Sequence, residues 1–104
     1  MRYANEVIVK QLQSDQTLRR EHLRDAINSL FTEDYRASLL MIRDIINATC
    51  GFPTIAREIG ANEKSVMQML SDKGNPSSEK LLGILRYLID QEGGEIKCQI
   101  KAAS

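Results

Sequence analysis

The chain has little of what usually announces a cofactor, a metal or a membrane. Two cysteines stand among 104 residues, Cys50 and Cys98 are far apart with no Cys-x-x-Cys, and His22 is the single histidine. That argues against a disulfide framework or a zinc site, and both thiols are expected to be reduced. No phosphate-cradling glycine loop or metal motif is present. No apolar run approaches the roughly 18 residues that cross a bilayer, and Met1 to Val9 lacks the apolar core of a signal peptide. A cytoplasmic location is expected. His22 has no partnered Cys, Ser or Asp pattern and reads as a helix residue. The pair Glu33-Asp34 suits helix capping better than acid-base catalysis. No enzyme and no cofactor are expected.

An excess of charge of either sign is also lacking. The 14 Lys and Arg balance 14 Asp and Glu, and each half of the chain, divided at Pro53, is neutral as well. DNA affinity normally leans on surplus positive charge, so a neutral DNA binder must gather its cations on one face or act as a dimer. What is present is ordinary for a globular protein, 42% hydrophobic and 27% charged residues. A single domain over 1–104, with one moderate core and no staples, is expected.

From Met1 to Gln13 the apolar Val7, Ile8, Val9 and Leu12 fit a short helix or an edge strand equally well. From Asp15, Leu18, His22, Leu23, Ala26, Ile27, Leu30 and Phe31 recur at helical spacing. Thr32, Glu33 and Asp34 supply a cap and negative charge for the next helix. That helix reaches about Cys50, and Tyr35, Leu39, Leu40, Ile42, Ile45, Ile46 and Thr49 cover more than one stripe of it, so it should be the central one. Gly51 is expected to close it in a left-handed conformation.

Residues 53–76 hold the most informative pattern. Pro53 opens a short helix where its missing N–H matters least, with Ile55, Ala56 and Ile59 inward and Ala56 small enough for close helix approach. Gly60 permits a sharp turn. Asn62 caps a second helix, expected to reach Asp72, whose inward face is Val66, Met69 and Leu70. This has the size and pattern of a helix-turn-helix, with its core at 53–72 and helical support from 15–50. Lys73 to Pro76 break the helix. Ser77 or Ser78 caps the last helix, with Leu81, Leu82, Ile84, Leu85, Leu88 and Ile89 on its apolar face. After Gly93 and Gly94, residues 95–101 alternate polar and apolar, the mark of a half-buried strand. A lone strand must find a partner, in residues 7–12, in a second copy or in another protein.

In a helix-turn-helix the second helix enters the major groove and the first crosses the backbone. Glu63, Lys64, Ser65 and Gln68 are then the candidates for base contacts: Gln68 can bond adenine, Lys64 guanine or phosphate, and Glu63 cytosine. Thr54, Arg57, Asn62, Lys73, Asn75 and Ser77 stand at helix ends and turns, where phosphate contacts are made. The plainer reading is the polar face of a small helical bundle, and Met67 and Met69 then serve as core filler.

Ile55-Ala56-Arg57-Glu58-Ile59-Gly60, then Val66 and Leu70, then Gly74-Asn75-Pro76 and an apolar helix, resembles the Cro and phage-repressor type of helix-turn-helix domain. More narrowly, Met69-Leu70-Ser71-Asp72-Lys73-Gly74-Asn75-Pro76 leading into Leu81-Leu82-Gly83-Ile84-Leu85 is similar to the antidote proteins of bacterial addiction modules. The resemblance implies a mainly α fold, a five-helix lambda-repressor-like domain with a short C-terminal β-strand. It implies a transcriptional repressor that binds its own double-stranded DNA operator as a homodimer and neutralises a toxin encoded beside it. It places base or phosphate contacts on Glu63, Lys64, Ser65 and Gln68, supported by Thr54 and Lys73. The chain departs from the pattern at Phe52-Pro53, where such domains offer a polar cap, and by carrying Glu58, Glu63 and Asp72 near the contact surface. Those carboxylates, with the zero net charge, frame the alternative: a protein-interaction module of the same fold that has lost DNA binding.

Overall fold

A computed structural model describes residues 2–32 and 34–103, with side chains from Glu6 onward. Among them are six helices: α1 (Arg2–Ser14), α2 (Gln16–Leu30), α3 (Tyr35–Ala48), α4 (Phe52–Ile59), α5 (Glu63–Met69) and α6 (Ser78–Gln91). That is one more than the five expected, because the N-terminal arm is helical throughout its described length.

The arm takes the helical option for tertiary reasons. The run Val7-Ile8-Val9 favours a strand locally, yet the segment is helical, with Leu12 wholly buried and Ile8 one turn before it packed against the core, an i, i+4 pair on one helix face. One residue, Asp15, separates α1 from α2, and its Oδ1 accepts the Leu18 N–H at 3.0 Å as the α2 cap. Two of the open carbonyls at the end of α1 are also met, since Arg19 Nη1 donates to the Leu12 carbonyl at 2.8 Å and the Gln13 carbonyl at 3.2 Å.

Small side chains let α2 and α3 approach. Ala26 and Ser38 are fully buried, and the Ser38 hydroxyl donates to the Ala26 carbonyl at 2.6 Å. Thr32 does not cap α3. Its Oγ1 accepts the Asp34 N–H at 3.3 Å and donates to the Ser29 carbonyl at 3.0 Å, so it ties the connecting turn. Asp34 holds the cap position without a side-chain bond, and Glu33 lies outside the described residues. The helix α3 is central, packing on α1, α2 and α4, with Leu39, Ile42, Ile45 and Ile46 buried. Leu40 and Thr49, expected inward, are exposed.

Gly51 departs from its expected conformation. Its φ of 82° is positive, but a ψ of 162° is extended rather than left-handed helical. In that geometry its N–H donates to the Ile46 carbonyl at 2.9 Å and its carbonyl accepts from Ile55 at 3.4 Å, ending α3 and starting α4 at one residue.

The core is one cluster to which all six helices contribute, from Leu12 through Leu23, Ile45, Ile55 and Val66 to Leu88. Arg19 joins the two ends of the chain across it. Besides its bonds to α1, its Nε lies 2.9 Å from Glu92 Oε2, with both side chains largely buried. Arg20 Nη2 donates to the Glu92 carbonyl at 2.6 Å. Gly93, at φ 68°, closes α6: its N–H donates to the Asp90 carbonyl and that of Gly94 to the Ile89 carbonyl, the two bonds of a Schellman cap.

No strand is found among the described residues. Residues 95–101, expected to be one, have no regular structure and are exposed along their length. The alternation is real in the sequence, but a strand needs a neighbour to meet its backbone groups, and the N-terminal candidate, residues 7–12, is used up in α1.

Candidate nucleic-acid interface

The candidate interface is built on a buried inner side. Phe52, Ile55 and Ala56 fix the inner side of α4, and Val66 and Leu70 that of α5. Phe52-Pro53, where the resembled domains offer a polar cap, supplies a core side chain and the expected first-turn proline, and no side chain caps α4. Gly60 adopts φ 67° and ψ 39°, left-handed helical. The Ala61 N–H donates to the Ala56 carbonyl at 2.9 Å and the Gly60 N–H to the Arg57 carbonyl at 3.4 Å, a second Schellman cap. Asn62 Oδ1 then accepts the Ser65 N–H at 2.8 Å and starts α5. Stop and start signals are two residues apart, which makes the turn short and its geometry specific.

With Val66 and Leu70 inward, the 100° step of a helix puts Lys64 and Gln68 on the opposite face of α5, one turn apart. Both are exposed. Glu63 is exposed on the flank, and Ser65 is half-buried. Met67, exposed at 37%, lies beside Gln68 on the outer surface rather than in the core, whereas Met69 packs against it.

The helix α5 is shorter than expected. It ends at Met69, so Asp72 and Lys73 belong to the following turn. The cause is Gly74. A Cβ there would run into the backbone carbonyls of Gln68 and Met69, so the chain folds back directly over the end of the helix. Arg36 of α3 donates through Nη1 to the Gly74 carbonyl and pins this return. Sequence reading missed Arg36, since nothing local marks a residue 38 positions away as the anchor of this turn.

The six candidates for phosphate contact come from three adjoining segments. Thr54, half-buried, and Arg57, exposed, lie on α4. Asn62 stands in the turn, its Oδ1 committed to the cap and its amide N–H donors free of that bond. Lys73, Asn75 and Ser77 lie exposed between α5 and α6. Ser77 Oγ accepts the Lys80 N–H at 3.2 Å, capping α6 while keeping its own proton to donate. Among the described residues, no ion pair involves Arg57, Lys64 or Lys73, nor Glu58, Glu63 or Asp72. The surface therefore carries three cations and three anions, all exposed.

A cleft of about 290 Å³ between α4 and α6 is lined by Glu58, Ile59, Glu79, Lys80, Gly83 and Arg86. Its charges also balance. Gly83 marks the close contact of the two helices, where a Cβ would come within 3.3 Å of Ile59 Cγ2. Elsewhere, burial pushes the Cys50 thiol above its ordinary pKa, keeping it protonated. No group of three His, Cys, Asp or Glu side chains suited to a metal ion is found among the described residues, and no helix among them is long and apolar enough to cross a membrane.

The structure places the chain in the mainly α class. Compared with known proteins, it matches no family model, no curated protein and no solved structure.

Proposed function

We propose that the chain is a sequence-specific DNA-binding repressor in which α4 and α5 form the helix-turn-helix, acting on its own operator as a homodimer. The observation that carries this reading is the pair Lys64 and Gln68, exposed one turn apart on the face of α5 opposite its buried side. Gln68 offers an amide suited to adenine and Lys64 a donor for guanine or phosphate. Exposed Arg57, Lys73, Asn75 and Ser77 on the adjoining segments suit backbone contacts. The antidote role, with a toxin protein as second partner, extends this reading on the strength of the Leu70-to-Pro76 resemblance. A small basic protein encoded in the neighbouring frame, forming a stable complex with this one, is its direct test.

The test of DNA binding is retardation of the native upstream DNA. Lys64→Ala with Gln68→Ala is expected to abolish it while leaving the circular dichroism spectrum and thermal midpoint unchanged, because neither side chain touches the core. Unchanged retardation removes the assignment.

Glu58, Glu63 and Asp72 favour a second reading, a protein-interaction module without DNA affinity. Salt separates the two. A binder contacting several phosphates loses affinity steeply and linearly on a logarithmic scale between low and physiological salt, whereas the interaction module shows no such slope.

A further inference from the structure

Residues 95–101 leave α6 through the Gly93-Gly94 turn, exposed and with no strand beside them among the described residues. Glu95, Lys97, Gln99 and Lys101 alternate with Ile96, Cys98 and Ile100. Ile96 is 57% exposed and Ile100 92%, so the apolar side is uncovered. Glu95 Oε1 and Lys97 Nζ lie 3.8 Å apart, neighbours two positions apart as on one side of a pleated strand.

We propose that this segment pairs with the same segment of a second copy as an antiparallel seam centred on Cys98. That register sets Glu95 opposite the partner's Lys101, Ile96 opposite the partner's Ile100, Lys97 opposite the partner's Gln99, and Cys98 opposite the partner's Cys98. By twofold symmetry each unlike pair occurs twice, giving two opposite-charge pairs and two isoleucine pairs, all favourable directly across a ladder.

Other registers are worse. Centring on Lys97 opposes two lysines, and centring on Gln99 sets Lys97 against the partner's Lys101. A half-step shift opposes apolar to polar side chains throughout, and an in-register parallel arrangement stacks like charges. Centring on Ile96 also sets Glu95 against the partner's Lys97, but it aligns only residues 95–97 of each copy, because the Gly94 N–H is held by the Ile89 carbonyl in the α6 cap. The register centred on Cys98 is the complementary one that uses the whole segment, and that self-complementarity points to a second copy as the occupant. Pairing also satisfies the segment's open backbone donors and acceptors. A two-stranded ribbon is marginal alone, so the association is weak and concentration-dependent. The seam rests on the homodimer of the proposed function and supplies its surface, while contact with DNA plays no part in it.

Sedimentation of the full chain over a concentration series, without DNA, tests the seam. Glu95→Lys and Lys101→Glu, each turning two attractive pairs into two repulsive ones, are expected to weaken dimerisation about tenfold. Glu95→Lys with Lys101→Glu together restores it. Asp25→Lys makes the same change of net charge as Glu95→Lys, on the exposed side of α2, and leaves dimerisation unaltered. Mild oxidation is expected to link the dimer through Cys98, following the dimer population across the variants and vanishing in Cys98→Ser. A monomer at all concentrations, a dimer indifferent to either single reversal, or a double variant that fails to recover overturns the seam. Retardation of the upstream DNA is measured separately. A chain that binds DNA but whose dimer ignores the reversals loses the seam and keeps the DNA reading. One that shows the reversal pattern without DNA affinity keeps the seam alone.

Discussion

Gly60 and Gly74 flank α5 and are required for different reasons. At Gly60 a Cβ meets nothing within 4 Å, and only the positive φ opposes a side chain. At Gly74 no positive φ is involved, and the added atom collides with two backbone carbonyls. Gly60→Ala is therefore expected to cost about 1 kcal/mol, the typical penalty of the left-handed region. Gly74→Ala is expected to cost about 1–3 kcal/mol, as overpacking does, because backbone must move. Denaturant midpoints of the two variants check the order. Asp44 is a second site where position sets behaviour. Burial pushes its carboxyl above the usual carboxylate range, with His22 and Arg43 pulling the other way. A raised carboxyl stabilises the fold fully only below its unfolded value, and that contribution is lost as pH rises through the folded one. Charged Asp44 is thus a burden at neutral pH. Asp44→Asn is expected to raise the thermal midpoint at pH 7, by a margin that shrinks on acidification through the carboxylate range.

At the scale of elements, much was legible because caps are local. Asp15, Asn62 and Ser77 each accept an N–H three residues on, the signature of an N-cap, and Gly60 and Gly93 stop α4 and α6 as their conformational freedom allows. Helix α5 depends most on its cap, because a helix of seven residues is too short to hold by propensity. Asn62→Ala is expected to cost about 1 kcal/mol and, under the proposed function, to weaken DNA retardation by loosening the surface that presents Lys64 and Gln68. Asn62→Asp keeps the cap and the stability, and a matching thermal midpoint for Asn62→Asp with a lowered one for Asn62→Ala checks the role. The end of α5 was not legible, since the collision that rules out a side chain at position 74 arises only once the turn has folded back. The alternation of 95–101 was legible as a pattern but not as an element, because a strand is a property of two segments.

Across the whole molecule, the first and last helices are held together by one arginine. Arg19 bonds the end of α1 and the Glu92 carboxylate beyond α6, and the other Glu92 oxygen is buried without a partner among the described residues. Arg19→Ala leaves that carboxylate buried and unpaired, which is expected to cost about 3–5 kcal/mol, as breaking a buried pair typically does. Arg19→Met with Glu92→Leu should recover most of it, since an apolar pair replaces the ion pair without leaving a charge behind. Equilibrium unfolding of the single and double variants tests this. Additive losses would mean that the two residues are not coupled.

The sequence by itself determined the helical class, the positions of α2 to α6 to within a few residues, and most of the core, because periodicity and caps act within one or two turns. The candidate contact residues were legible to the extent that a polar residue opposite a buried stripe must face outward, which located Lys64 and Gln68. Tertiary structure alone decided that residues 2–14 are a helix, that α5 stops at Met69, and that Arg36 and Arg19 anchor distant turns. Those outcomes depend on contacts across 38 and 73 positions of sequence. Such contacts exist only after the chain has folded and the solvent that would otherwise satisfy their polar groups has been excluded.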